Sequence, residues 1–481
     1  MKNKGLILGF LWAFSGLINP SIANAAQESE YLSFHGNVRY QYLYEDNADL
    51  GTRSEDTTGD STVEGNLYGY YNPTSTIKGF TQIRALKTFG GANFQDETGL
   101  QESVDSFVEA RQVWFEFSEI ADIIPLSVRV GRQRYYEPTS NWWNRDMDSV
   151  RAIYDTTLVK GFLGVAQNLR SYRTASDSDF GQDDQDRLRL LGELSKQYRP
   201  DQFIDFRFLA EHDHSGTEPT GVLVRTFDRD QNDQDLVWFG TRHHGTFGLL
   251  EPKASVEKIA YRADLMGVVG SETLENSTST SNPARRLVTG NQDKDVRGWA
   301  FDGDVSLYTN LPLKPVLYAG YAYGSGDDNP NDGVNHGFRQ TDLQGNFTYW
   351  NGTRTPARNY GEALRPELSN IHILAAGSTF HFGKASDLST TYRYYKQATA
   401  TTTSSPDGIS ASTDGKDTDL GHGFDVLGTA NLTQEFGATI PHFKDIMLRA
   451  NYGAFVAGDA WETAAEGEVS QRAILQLRLN Y

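Results

Sequence analysis

One sequence feature constrains this chain more than any other: apolar and polar residues alternate with a period of two from Phe34 to the last residue. Phe34, Val38, Tyr40, Tyr42 and Tyr44 alternate with His35, Asn37, Arg39 and Gln41. Near the other end, Ala473, Leu475, Leu477, Leu479 and Tyr481 alternate with Arg472, Ile474, Gln476, Arg478 and Asn480. Successive side chains of an extended strand point to opposite sides, so each such segment reads as a strand with one apolar and one polar face. Beyond the N-terminus no segment places apolar residues at i, i+3, i+4 and i+7. The expected fold class is all-β.

The connections alternate as well. Short turns are read at Asn72-Pro73-Thr74, Tyr198-Arg199-Pro200, Asn310-Leu311-Pro312 and Gly383-Lys384-Ala385. Between them lie long, acidic, Gly/Asn/Thr-rich stretches at 46–60, 90–105, 174–186, 215–233, 272–295, 325–366 and 398–419. Antiparallel strands joined by alternating long and short connections describe a barrel with one elaborated rim. The pattern gives about 18 strands, and an even number puts both termini on the short-turn side. The expectation is a transmembrane antiparallel β-barrel with long extracellular loops and short periplasmic turns.

The first 25 residues stand apart. Lys2 and Lys4 precede the apolar run Gly5–Ile18, and Ala23-Asn24-Ala25 supplies small residues for cleavage. This is the pattern of a secretory signal peptide, residues 1–25, ahead of a single domain at 26–481. Among 481 residues there is no cysteine, which excludes disulfide scaffolds, thiolate zinc sites, cysteine nucleophiles and a lipoprotein cleavage box. A formal net charge of -19 argues against nucleic acid as a partner. After the signal segment no apolar run reaches the roughly 20 residues of a transmembrane helix, which excludes a helical membrane protein and leaves a β-barrel open.

Three features favour a membrane barrel over a soluble sandwich. Charged residues populate the inward parity (Arg39, Lys78, Arg84, Asp205, Arg207, Lys258, Arg262, Asp264, Arg393, Arg449), which a wet lumen tolerates and a packed core does not. Aromatic clusters at strand ends, Tyr68-Tyr70-Tyr71, Tyr135-Tyr136, Trp142-Trp143 and Tyr394-Tyr395, are expected to form interfacial girdles. The chain also stops on Tyr481, at the end of an alternating strand where the barrel would close, leaving no free edge. The acid excess is expected in the long outer loops, with arginine on the inward parity.

Patterns that carry catalysis are absent. His243-His244 and His212-Asp213-His214 read as wet strand ends rather than metal ligands. The run Gly324–Gly333 has the composition of a calcium loop, but its glycine is one place late and no bidentate Glu follows, so a solvated loop is expected and weak surface calcium is the minor reading. No nucleophile elbow or paired-carboxylate site stands out. The expected catalytic, metal and cofactor sets are empty. Arginines carry more information. Lumen acids such as Asp205 and Asp264 are expected to neutralise about half of the inward arginines, leaving the rest as a basic constriction that guides a polyanion.

An ordered set of motifs then points to a family. Arg111-Gln112-Val113-Trp114-Phe115-Glu116-Phe117 is followed by Val130-Gly131-Arg132-Gln133-Arg134, Gly164-Val165-Ala166-Gln167, Tyr172-Arg173-Thr174, Gly352-Thr353-Arg354, Gly361-Glu362-Ala363-Leu364-Arg365, Glu367-Leu368-Ser369-Asn370 and Gly458-Asp459-Ala460-Trp461. Over nearly the whole chain from Arg111 onward, this resembles the bacterial alginate export family, the AlgE-like outer-membrane porins. The resemblance implies a monomeric 18-stranded barrel in the outer membrane, in contact with lipid and lipopolysaccharide. It would pass an anionic polysaccharide received from periplasmic secretion-complex proteins. The implied pore arginines fall on Arg111, Arg134, Arg365 and Arg449, with Arg39 in place of a lysine and Arg132 in the same Gly-Arg-Gln-Arg run. Where the family carries two further pore arginines this chain has Tyr68 and Pro356, and two acidic lumen positions fall on Asn144 and Ala175. The turn that resembles the family's pore plug, 436–444, is short. Arg84, Arg151, Arg262, Arg393 and Arg472 are secondary pore candidates.

The parity reading supports Arg39 and Arg449 as inward. It sets Arg111 with Val113 and Arg134 with Val130, on the outward side; a bulge near Gly131 would rescue Arg134, and nothing in the pattern rescues Arg111. Two alternatives stay open at this level: a general or sugar-acid uptake porin, and a secreted polysaccharide-active enzyme or binding module.

Overall fold

The computed structural model describes residues 31–481 except 53–56, 91–92, 97–100, 104–105, 171, 175–185, 226–231, 249–254, 283, 350 and 403–406. The expected signal segment, residues 1–25, lies outside the described residues, as does Ala175.

Among the described residues eighteen strands form one closed antiparallel wall: β1 (Leu32–Asp46), β2 (Thr58–Tyr71), β3 (Ile77–Phe89), β4 (Ser106–Ser118), β5 (Leu126–Tyr136), β6 (Asn144–Asp155), β7 (Val159–Gln167), β8 (Arg187–Arg199), β9 (Gln202–Asp213), β10 (Asn232–Gly248), β11 (Val256–Ser279), β12 (Arg285–Thr309), β13 (Val316–Gly324), β14 (Ile371–Phe382), β15 (Ser386–Gln397), β16 (Asp419–Asn431), β17 (Asp445–Ala457) and β18 (Val469–Asn480). Each pairs with its neighbour in sequence, and β1 closes on β18 from Asn37↔Asn480 to Asp46↔Gln471. Closure satisfies every edge, which a wall surrounded by lipid requires.

The period-two pattern sorts the wall. Val237, Phe239, Leu265, Val269, Val305, Leu317, Leu374, Phe424 and Leu475 point outward and are exposed. Arg189, Arg207, Arg242, Asp264, Arg393 and Arg472 point inward and are buried. Two aromatic belts border the outer band. One, near the short-turn rim, brings Tyr198 against His243 (5.4 Å between ring centres), sets His243 edge-on to Tyr261 (5.2 Å) and stacks Phe247 on Tyr261 (5.1 Å). Near the other rim, Trp299 meets Tyr323 (4.5 Å), Tyr323 meets His372 (4.8 Å) and Tyr394 meets His422 (5.2 Å). Rings with an apolar body and a polar tip suit the headgroup level.

Three expectations are corrected. Trp142, Trp143, Tyr135 and Tyr395 are not girdle residues, being at most 1% exposed and inside the barrel, and Tyr68 and Tyr70 share the inward parity of Glu64 and Asn66. The stretch 272–295 is not a loose loop, because β11 and β12, of 24 and 25 residues, continue through it as a two-stranded ribbon beyond the rim. Its register runs on through Glu272↔Lys294 and Asn276↔Gly290 before a one-residue shift. The stretch 325–366 is not an outer loop either; it folds into the lumen.

That lumen loop, 325–370, leaves the long-loop rim after β13 and returns at β14. On the way down, Trp238 Nε1 donates to Arg339 O (2.7 Å), Asn144 N donates to Leu343 O (2.6 Å) and Ser306 Oγ donates to Asn351 (2.7 Å). Its farthest point reaches the short-turn rim, where Arg354 Nη2 donates to Lys384 O (3.3 Å) in the turn between β14 and β15. On the return, Thr355 bonds Thr429 (2.6 Å) and Tyr360 OH donates to Asp302 (3.0 Å). Apolar side chains on the inner wall receive it: Leu191, Leu209, Leu236, Val268, Ile373 and Phe455 cluster with Phe338, Leu343, Tyr360, Leu364 and Leu368 of the loop, and with Trp142, Trp143 and Trp461 from two neighbouring connections. The outer half of the lumen is therefore a packed core within a membrane barrel, held by burial of aromatic and aliphatic surface.

Candidate functional site: the charged lumen

Most of the side chains singled out in the sequence meet an acid. Arg39 pairs with Glu64 (2.6 Å), and Arg84 with Glu109 (2.5 Å). Arg111 bridges Asp96 (2.7 Å) and Asp146 (2.8 Å), Arg134 shares Asp146 (3.2 Å), and Arg132 faces Asp148 (3.7 Å). Arg262 grips Asp302 (2.8 Å) and Asp304 (2.7 Å), while Arg393 pairs with Asp425. Arg365 of the lumen loop reaches Glu45 (2.5 Å), and Arg472 pairs with Glu45 and with Glu362 of the loop (3.0 Å each). The excess acid is thus not confined to outer loops: much of it stands opposite the inward guanidiniums, because a buried cation needs a partner.

The local reasons differ by position. Between β3 and β4 the register jumps from Gln82↔Gln112 to Ile83↔Ala110, so Arg111 is the extra residue of a β-bulge. The bulge turns Arg111 inward beside Glu109, while Val113 stays on the lipid side. Arg134 has no such rescue: the β5–β6 register runs unbroken from Leu126↔Tyr154 to Tyr136↔Asn144, and there is no bulge at Gly131. Instead the end of β5 leaves β4 after Arg132↔Val113, and the segment around Arg173 pairs with Glu109 in its place. Tyr135 and Met147 then pack with the inner-wall residue Leu191, and Arg134 is held by Asp146, the carboxylate it shares with Arg111.

Two candidates lack an acid partner among the described residues. Arg151 is enclosed by Tyr135 (4.8 Å to the ring centre) and Phe162 (5.4 Å). Arg449, four residues into β17 from the short-turn rim, donates from Nη2 to Tyr349 OH (3.3 Å) at the tip of the lumen loop. Beside it Arg478, not singled out in the sequence, stands directly across from Arg39 and donates from Nε to Asn480 (3.0 Å). Its parity with Arg472 and Gln476 was the available signal. Also unmarked were Arg187 and Arg189 on β8 and Arg242 on β10, which pair with Asp213, Glu211 and Asp264.

Two faces of the lumen differ as a result. Across β8 to β12 a cavity of about 620 Å³ is lined by Arg207, Arg242 and Arg262 together with Glu193, Asp205, Asp302 and Asp304, a ladder in which acid equals or exceeds base. In the connection after β5, Glu137 abuts this ladder. Burial alone would raise its carboxyl, but the Arg242 and Arg207 guanidiniums outweigh burial and hold it well below the usual range. Across β17, β18 and β1, Arg449, Arg478 and Arg39 meet one acid, Glu64. Higher on that face, burial together with nearby Arg472 and Arg365 brings the lumen-loop Arg358 down to about 9.

The turn compared with the family plug, 436–444, stays at the short-turn rim. It follows the helical turn Leu432–Phe436, whose Glu435 accepts from the backbone N–H of Lys384 (2.8 Å) and Ala385 (2.7 Å). His212 pairs with exposed Asp235, and His243 belongs to the outer belt. No group of His, Cys, Asp or Glu that could hold a metal ion occurs among the described residues.

The alginate export family profile matches residues 30–475, almost the full wall. The chain belongs to the alginate export family. Two curated relatives are both called alginate production protein AlgE. The one from Pseudomonas aeruginosa is 27% identical over 435 residues, covering 87% of this chain and 86% of that protein. The one from Pseudomonas syringae pv. tomato is 24% identical, covering 98% and 97%. Among solved structures, OpdK of Pseudomonas aeruginosa superposes with a TM-score of 0.56 at 8% identity, covering 94% of this chain and 99% of that one. OccAB1 of Acinetobacter baumannii does so with a TM-score of 0.56 at 11% identity, covering 95% and 99%. These likenesses concern fold alone. This family member is an integral outer-membrane β-barrel, and its short-turn rim faces the periplasm.

Proposed function

We propose that this protein is the outer-membrane channel through which an anionic uronate polymer, alginate or a close relative, leaves the periplasm, with no chemistry performed on the polymer. Membership of the alginate export family across 30–475, on a closed barrel, is the observation that carries the reading. The lumen supports it: Arg449 and Arg478 stand at the periplasmic mouth without an acid partner among the described residues, so a passing carboxylate has guanidiniums to meet. Paired arginines higher up, including Arg365 and Arg472, offer a track that can exchange an internal carboxylate for one on the polymer. Such exchange keeps each contact weak enough to release. Motive force comes from polymerisation upstream, since the outer membrane offers no nucleotide.

Removing the gene product from a polymer-producing cell should leave polymer trapped or degraded in the periplasm, measured as uronic acid outside against inside. Normal secretion would overturn the reading. In planar bilayers the channel should prefer anions and be interrupted by mannuronate oligomers.

A further inference from the structure

Lumen walls near a water-filled mouth are normally polar, yet here four neighbouring strands turn aromatic rings inward at one level. His35 on β1 stands opposite Tyr68 on β2, Tyr70 stands opposite Phe80 on β3, and Phe80 stands opposite Trp114 on β4. Their inward direction follows from strand parity. Tyr68 OH accepts from Asn37, Gln82 bonds Asn66 and Gln112, and Phe115 and Phe117 beside Trp114 face out and are exposed. The rings touch in series: Tyr70 to Phe80 at 4.9 Å, Tyr68 to Phe80 at 6.4 Å and Phe80 to Trp114 at 5.3 Å, the last two nearly parallel. The Arg129 guanidinium on β5 lies 3.9 Å from the Trp114 ring centre and ends the arc. Tyr70 keeps 40% of its surface exposed.

We infer that this arc is a saccharide-stacking site, on which the apolar face of a uronate pyranose lies as the polymer enters from the periplasm. The inference rests on the export reading above and adds the means by which the sugar ring, rather than its charge, is held. A pyranose presents a row of C–H groups on one face, and these fit the electron-rich face of an aromatic ring. Charge complementarity selects an acidic sugar over other flat ligands. Arg39 and Arg478 lie on β1 and β18 beside the arc, Arg449 on β17 follows, and Lys78 and Arg129 flank Glu116 at its other end. A unit stacked on the arc therefore has cations on either side for its carboxylate. A polymer advancing by one residue exchanges one ring contact for an equivalent one, since stacking is indifferent to register.

The test uses the full-length protein in planar bilayers, with mannuronate hexamer on the periplasmic side and a neutral β-linked glucose hexamer as second probe. The variants are Tyr68→Leu/Tyr70→Leu, which keeps bulk and removes the π faces, Tyr68→Phe/Tyr70→Phe, which keeps the rings, and Arg449→Gln/Arg478→Gln, which keeps the arc. The Leu pair should shorten the dwell of both oligomers by about tenfold. The Phe pair should stay within about threefold of the parent. The arginine pair should weaken the mannuronate block alone. If the Leu pair retains parental dwell while the parent is blocked, the stacking site is overturned and the export reading stands. Should the parent show no mannuronate block, both fall. Equal losses in the Leu and Phe pairs would also overturn stacking, because a ring would then not be what matters.

Discussion

Arg449 shows how much the role of a lumen guanidinium depends on its neighbours. Most candidate arginines are engaged by an acid across the barrel wall, and replacing one of them exposes that acid as well as removing a cation. Arg449 meets a phenol instead. Arg449→Gln should therefore shift the reversal potential toward cations more than Arg207→Gln does, since Arg207 already faces Glu193 and Asp205. Bi-ionic potentials of the two variants check this, and an equal shift would refute it. A second residue sets a pH response. Burial, then Asp407 and Asp342, push the Glu367 carboxyl of the lumen loop up to about 7, opposed by its bond from Gln344 (2.7 Å) and by Arg145. The docked loop then holds a proton that the undocked loop releases. This contribution to docking is full below about 4.5, is lost as pH rises through about 7, and changes no further above. Loop-opening events should become several-fold more frequent between pH 5 and pH 8. Glu367→Gln should flatten the profile in single-channel records.

At the scale of elements, the lumen loop decides what kind of passage the barrel offers. It crosses from the outer rim to the Lys384 turn and is tied to β1, β6, β10, β12, β16 and β18 by hydrogen bonds or ion pairs. Excising 338–368 should raise conductance several-fold while the barrel still migrates as a heat-modifiable folded species on gels; unchanged conductance would show that the loop does not narrow the path. Legibility in the sequence divides along the same line. The wall could be read, because lipid on one side and water on the other impose alternation, and β1 and β18 follow it over most of their length, with Leu43 and Ile474 the apolar exceptions on the inner side. Arg111 could not be placed, since a bulge changes parity without leaving a composition signal. Nor could Trp142 and Trp143 be placed, because an aromatic pair at a strand end looks the same whether it meets headgroups or an inner core. Position 325–366 read as an outer loop for a related reason: its polar groups are satisfied by the far wall, such as Tyr360 by Asp302, and no local pattern announces a partner that distant.

For the whole molecule, a formal charge of -19 coexists with a periplasmic mouth where Arg449 and Arg478 have no acid partner among the described residues, because the charges are arranged by face. Attraction at such a mouth acts over a Debye length, about 8 Å at physiological salt, so it serves capture and not long-range steering. Capture of mannuronate oligomers should weaken steeply between low and molar salt, while the ring contacts should not; association rates measured across that range check it.

The seam between β1 and β18 joins positions roughly 440 residues apart, the kind of pairing that closes late because so much chain entropy must be given up first. Until it forms, the wall is an open, curling sheet with two bare edges. The lumen loop hangs from β13 and β14, well before the last strand, and it contacts both sides of the seam, through Glu45 on β1 and through Arg472 on β18. A loop so placed bridges the joint from inside and ties both of its margins to one segment. The segment whose excision tests the width of the channel thus also clasps the last joint of the barrel from within.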